Sequence, residues 1–134
     1  MKILHVGKFF YPYHGGMENF LIDLVIEQKS SGLDPSIIVH HHKTFDLTRN
    51  ETIKNVQVTR TLSLGQLVYA PLAPSFGYHL AKTIIQIQPD ILHVHLPNFS
   101  AFWIQLLSNG IPVVVQWQSD VVRSKVDKRL FFFY

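Results

Sequence analysis

The sequence predicts an α/β domain built on a doubly wound, mainly parallel sheet. Two observations carry this. Short apolar runs alternate along the chain with segments of helical periodicity, the pattern of successive strand–helix–strand units. The first run, Ile3 to Val6, is nearly continuous in apolar character, as a strand buried on both faces should be. Right-handed crossovers then give a default strand order of 3-2-1-4-5.

Ile3 to Val6 is the first predicted strand. A loop follows and closes on Gly15-Gly16, and a helix runs from Met17 to about Lys29. Met17, Leu21, Leu24 and Val25 share one face of it. Ser30-Ser31-Gly32 ends the helix, with Gly32 as a left-handed cap. Ser36 to His40 reads as the second strand, and the polar residues 42–55 as a loop. Val56 to Thr61 alternates and reads as a third strand near a sheet edge. Pro71 and Pro74 punctuate the next connection before a helix from about Ser75 to Gln88, which Pro89-Asp90 stops. Ile91 to His95 is the fourth strand, Phe99 to Ser108 a helix, and Pro112 to Gln116 the fifth strand. Trp117 to Asp120 is a loop, and the chain reads as helical from Val121. No repeat or low-complexity segment interrupts this order.

A chain of 134 residues suits one domain, here residues 1–134. Hydrophobic residues make up 47% and charged residues 16%, enough for a packed core. The net charge of +3 is mild and its carriers are scattered, apart from a C-terminal cluster. Nucleic-acid binding normally needs a concentrated basic patch, so none is expected. With no cysteine, disulfides, zinc-thiolate sites and Cys nucleophiles are excluded. The N-terminus lacks a signal-peptide pattern, and no apolar run approaches the roughly 20 residues that span a bilayer. A cytoplasmic protein is expected, with the inner face of the membrane as a further location.

In a sheet of this order, ligands bind beyond the carboxyl ends of the strands, where the winding reverses. Three polar loops fall there: His14-Gly15-Gly16, His95-Leu96-Pro97-Asn98 and Trp117-Gln118-Ser119-Asp120. Strand, glycine loop and helix start together present bare N–H groups and a positive dipole end to an anion. A tight turn needing positive φ is the alternative reading of Gly15 and Gly16. Glu18 in the first helical turn suits the dipole and reads as structural. His93 and His95 share one face of their strand, with Asp90 three residues before His93. Hydrogen-bonded anchoring is expected of them rather than metal binding. The triplet His40-His41-His42 is expected in a solvated loop.

The segments HVGKFFYPYHGGMENFLIDL, PDILHVHLPN and VVVQWQSDVVRSK, in this order, resemble the N-terminal domain of the family 4 retaining glycosyltransferases. The resemblance covers nearly the whole chain. It implies the Rossmann-like N-terminal half of a GT-B architecture. The implied activity is transfer of a sugar from a nucleoside-diphosphate sugar to a glycan or lipid-linked acceptor, with retention and without a metal or other cofactor. Gly15 and Gly16 would approach the donor diphosphate, while His14, His95 and Asn98 would face the acceptor side.

Gln118 stands where the family usually has histidine, and Asp120 lies two residues on. These two are the candidate catalytic positions. Glutamine cannot take a proton near neutral pH, so Gln118 is expected to position rather than to act as a base. Asp120 has two readings, orienting the acceptor or capping the helix from Val121. The donor half, with its Glu-x7-Glu motif, has no counterpart in this sequence. The chain looks like the first third of such an enzyme, inactive without a donor-binding partner chain. A non-catalytic glycan- or lipid-binding module is the alternative. Arg123, Lys125, Lys128 and Arg129 precede the aromatics Phe131 to Tyr134. That tail is either a peripheral membrane contact or a face for the missing remainder of the domain. A dinucleotide site is not expected, since no G-x-G-x-x-G follows the first strand.

Overall fold

The computed structural model describes residues 1–67 and 70–118. Along the chain run β1 (Lys2–Val6), α1 (Gly16–Ser30), β2 (Asp34–His40), β3 (Arg49–Ile53), β4 (Val56–Thr61), β5 (Gln66–Leu67), β6 (Ala70–Pro71), α2 (Phe76–Ile87), β7 (Ile91–Leu96), a 3-10 turn (Phe99–Ala101), α3 (Phe102–Leu107) and β8 (Val113–Trp117). Six strands form one sheet in the order β3-β4-β2-β1-β7-β8, and β5 and β6 form a separate two-stranded ribbon. The five predicted strands stand in their expected order, all parallel.

The expectation of a loop over 42–55 is corrected: β3 adds an antiparallel edge strand outside β4. Val56–Thr61 is therefore one strand in from the edge. The sheet-edge position falls to β3, whose sequence RNETI is polar and shows no buried alternation. The hairpin rests on a two-residue turn, Lys54-Asn55, with φ of 51° and 62°. Both central residues at positive φ give a turn whose twist matches the strands. Cross-strand bonds follow, from Thr59 Oγ1 to Asn50 Oδ1 at 2.9 Å and from Arg60 to Glu51.

The two sheet faces carry separate cores because side chains alternate along each strand. On one face Phe10, Leu21, Val25, Ile37, Val39, Val56 and Val58 pack beneath α1. On the other, Leu4, Val6, Ile38, Leu92 and Val94 pack with Phe76 and Leu80 of α2 and Ile104 of α3. Each such side chain contributes roughly 1.5–3 kcal/mol on burial. Helix α1 ends as the glycine predicts: Gly32 has φ +83°, and the Leu33 N–H returns to the Gln28 carbonyl at 3.0 Å.

The solvated-loop expectation for the histidine triplet is also corrected. His40 is the last residue of β2 and fully buried, and His41 is buried with its Nε2 3.4 Å from Asp46 Oδ2. The strand runs to its carboxyl end inside the core, so its final residues do not reach solvent. The expected helix over Phe99 to Ser108 is divided, with a 3-10 turn preceding α3. None of the described helices is long and apolar enough to cross a membrane. Asp120, the helix expected from Val121 and the basic-aromatic tail lie outside the described residues.

Candidate functional site

The loop after β1 and the carboxyl end of β8 meet across a cleft of about 640 Å³. Lys8, Phe9 and Tyr13 line it from the loop; Gly15 to Glu18 and Phe20 line it from the start of α1. Gln116, Trp117 and Gln118 close the other side. Two of the three polar segments singled out in the sequence thus share one cavity.

Neither glycine serves a positive-φ turn. Gly15 is extended (φ −166°, ψ 169°), and Gly16 opens the helix. Gly15 instead leaves room: the Glu18 carboxylate lies where a Cβ would stand. At Gly16 a Cβ would meet nothing within 4 Å, so the backbone there is bare towards the cleft. Gly15 supplies no side-chain cap, and Glu18 folds back to its own N–H. Burial raises the Glu18 pKa, with its backbone bond and Lys8 opposing. The Lys8 ammonium, 5.2 Å from the centroid of the Phe9 ring, is lowered by burial and held up by Glu18. The helix start is thus covered by a carboxylate that an incoming anion must displace. Lys8 supplies the positive charge beside it.

Behind the cleft, under α1, His5 and His95, both buried, form a cluster with the half-buried His93. Register pairs His5 with His93 across β1 and β7, so all three rings lie on the α1 face. The His93 and His95 rings stack at 4.5 Å. His5 Nε2 is 2.8 Å from Gln28 Oε1, His5 Nδ1 is 3.0 Å from His95 Nε2, and His93 Nε2 is 3.0 Å from Gln116 Oε1. Among the described residues this is the set of ionisable side chains whose spacing, 4.8 Å or less, would suit a metal ion. Four of its ring nitrogens already bond to each other or to glutamine amides, so hydrogen bonding organises it. Burial lowers the His5 pKa to about 4 and that of His95 to about 3, the latter with help from His5 and His93. Both rings are neutral at physiological pH.

The remaining candidates lie outside the cleft. His95 is buried behind Gln118 and does not line the cleft. Asn98 is buried, its Oδ1 accepting the Ser100 N–H at 3.1 Å to start the 3-10 turn. Ser100 Oγ in turn meets His40 Nε2 at 2.9 Å. His14 is exposed, edge-on to Tyr11 at 6.1 Å, and outside the cleft. Asp90 lies at the opposite end of β7, accepting the Lys2 N–H at 2.7 Å. Sequence reasoning passed over Lys8, His5 and Gln28. Lys8 had a legible signal, as a cation two residues past a strand end. His5 and Gln28 had none, because only the β1–β7 register and the seating of α1 bring them to His95.

Known proteins match this chain. The family model described as Glycosyltransferase Family 4 matches residues 14–133. A GDP-mannose:cellobiosyl-diphosphopolyprenol alpha-mannosyltransferase of Komagataeibacter xylinus is 29% identical over 103 residues, covering 74% of this chain and 24% of that protein. A protein of the same name from Xanthomonas campestris is 27% identical over 122 residues, covering 86% of this chain and 30% of that protein. The chain spans less than a third of the length of these curated relatives.

Proposed function

Because the chain belongs to Glycosyltransferase Family 4, we propose that it forms the acceptor-side half of a retaining sugar-transfer site. The observation that carries this is the cleft itself. Lys8, the Gly15-Gly16 helix start and Gln118 converge on it, at the carboxyl edge where the sheet reverses its winding. The donor is a nucleoside-diphosphate sugar, with GDP-mannose the first candidate from the relatives' names. The acceptor is a saccharide carried on a polyprenyl diphosphate, which brings the reaction to a membrane surface.

In this reading the diphosphate of the donor approaches Gly16 and Lys8 and displaces the Glu18 carboxylate. A helix N-terminus and a nearby ammonium both favour that anion. Gln118 holds a sugar or acceptor hydroxyl by hydrogen bonding and takes no proton. A second Rossmann-like half supplies the rest of the donor site, since catalysis requires the reacting groups to be held together. Transfer by this chain alone is not expected.

The test is titration of the isotope-labelled chain with GDP-mannose, followed by NMR. Shifts are expected to gather at residues 8–18 and 116–118. Lys8→Ala should weaken binding several-fold, corresponding to about 1 kcal/mol for a half-exposed charge contact, and more at low salt. Shifts confined to another face would refute the placement. Sugar transfer by the unaided chain would refute the half-site reading.

A further inference from the structure

Gln118 is not free to present either end of its amide to the cleft. His5 and His95 are neutral, so each ring carries one N–H and one bare nitrogen. The Gln28 carbonyl oxygen Oε1, 2.8 Å away, accepts from His5 Nε2–H. His5 Nδ1 is then bare, and at 3.0 Å it accepts from His95 Nε2–H. That leaves His95 Nδ1 bare as well. Gln118 is a hydrogen-bonding neighbour of the same ring. Yet His95 Nδ1 and Gln118 Oε1 are both buried and, among the described residues, both without a partner. Two neighbouring side chains that both offer acceptors leave two buried polar atoms unpaired, a cost of about 1–3 kcal/mol each. A half-turn of the Gln118 amide removes it: the NH2 donates to His95 Nδ1, and the oxygen turns away.

We infer that Gln28, His5 and His95 form a buried hydrogen-bond relay that sets which end of the Gln118 amide faces the cleft. The NH2 is held by His95, and the carbonyl oxygen is offered to a ligand hydroxyl. Gln28, His5 and His95 are positioning residues acting through Gln118. The relay has one polarity at a time, because reversing any link reverses every other. A group on α1, two imidazoles away from the cleft, thereby selects donor or acceptor character at the site. The value of that selection to sugar transfer rests on the function proposed above. The relay itself does not, and its test uses no substrate.

Nitrogen-15 NMR of the intact chain near neutral pH reads the tautomer of each ring, since bare and protonated imidazole nitrogens resonate far apart. In the wild type both His5 and His95 should be protonated at Nε2 and bare at Nδ1. Gln28→Glu, an acceptor only, should leave both unchanged. Gln28→Lys, a donor only, should move the proton to Nδ1 on both rings, including His95, which Gln28 does not touch. Gln118→Glu approaches from the other end with an acceptor and should also place a proton on His95 Nδ1. A wild-type His95 protonated at Nδ1 would overturn the assigned polarity, and a His95 tautomer indifferent to both Gln28→Lys and Gln118→Glu would overturn the relay. The wild-type spectrum decides its polarity even if a variant fails to fold.

Discussion

Lowering the pH from 7.5 to 5 should destabilise this domain severely, because the imidazoles of His5, His40 and His95 are buried and neutral. His5, His40 and His95 are almost wholly inaccessible, and burial depresses their pKa values from 6.5 to about 4, about 4 and about 3. Above pH 6.5 the folded and unfolded chains are both neutral at these sites, so no penalty exists. Below it the unfolded chain binds protons that the folded chain refuses, and stability falls with pH until the folded values are reached. At pH 5 the folded rings are still almost entirely neutral. The cost therefore depends on the unfolded value: 1.5 units at about 1.4 kcal/mol per unit is about 2 kcal/mol for each ring. Three rings give about 6 kcal/mol, a large part of the 5–15 kcal/mol that stabilises a typical domain.

Mutual repulsion between His5 and His95 does not alter this figure, since neither is appreciably protonated in the fold at pH 5. The raised Glu18 pKa works in the opposite direction. Urea unfolding followed by circular dichroism at the two pH values provides the assay. The midpoint should drop by about 2–4 M, for a urea slope near 2 kcal/mol per molar. His95→Asn should remove about a third of the pH dependence. An equal midpoint at pH 7.5 and 5 would show that the imidazoles are not held neutral and that the packing around them, under α1 and against Phe76, is misread.

Two stability predictions test other parts of the fold. A Cβ on Gly77 of α2 would stand 2.7–2.8 Å from ring carbons of Trp103 in α3. Gly77→Ala gains about 1 kcal/mol of helix propensity but forces two helices apart at a cost of about 1–3 kcal/mol. A lower melting temperature is expected, and a higher one would refute the close contact. Arg60, buried on β4, pairs with Glu51 of β3 and donates to the carbonyls of Phe10 and of Tyr11. Arg60→Ala should cost about 3 kcal/mol by leaving these groups unpaired. It should also weaken nucleotide titrations, because the same loop carries Phe9 and Tyr13 into the cleft. A loss below 1 kcal/mol in denaturant melts, with unchanged binding, would remove Arg60 as the clamp of that loop.

The order of the parallel strands was legible in the chain because buried parallel strands must be apolar runs and their crossovers have a fixed hand. The Gly15-Gly16 helix start and the Gln118 loop were legible as neighbours for the same reason: both follow strands that end on one edge. What periodicity could not reveal was β3, a polar edge strand held by backbone pairing, a Lys54-Asn55 turn and Arg60 rather than by its own apolar face. Nor could it reveal that His95 lies behind Gln118 instead of in the cleft, or that Glu18 occupies the space Gly15 leaves. His5, Gln28 and His95 are separated by 23 and 67 residues in sequence yet share one hydrogen-bonded line. Local sequence fixes where a side chain leaves its own strand or helix. Which side chain it meets depends on sheet register and helix seating, and those exist only once distant segments have packed.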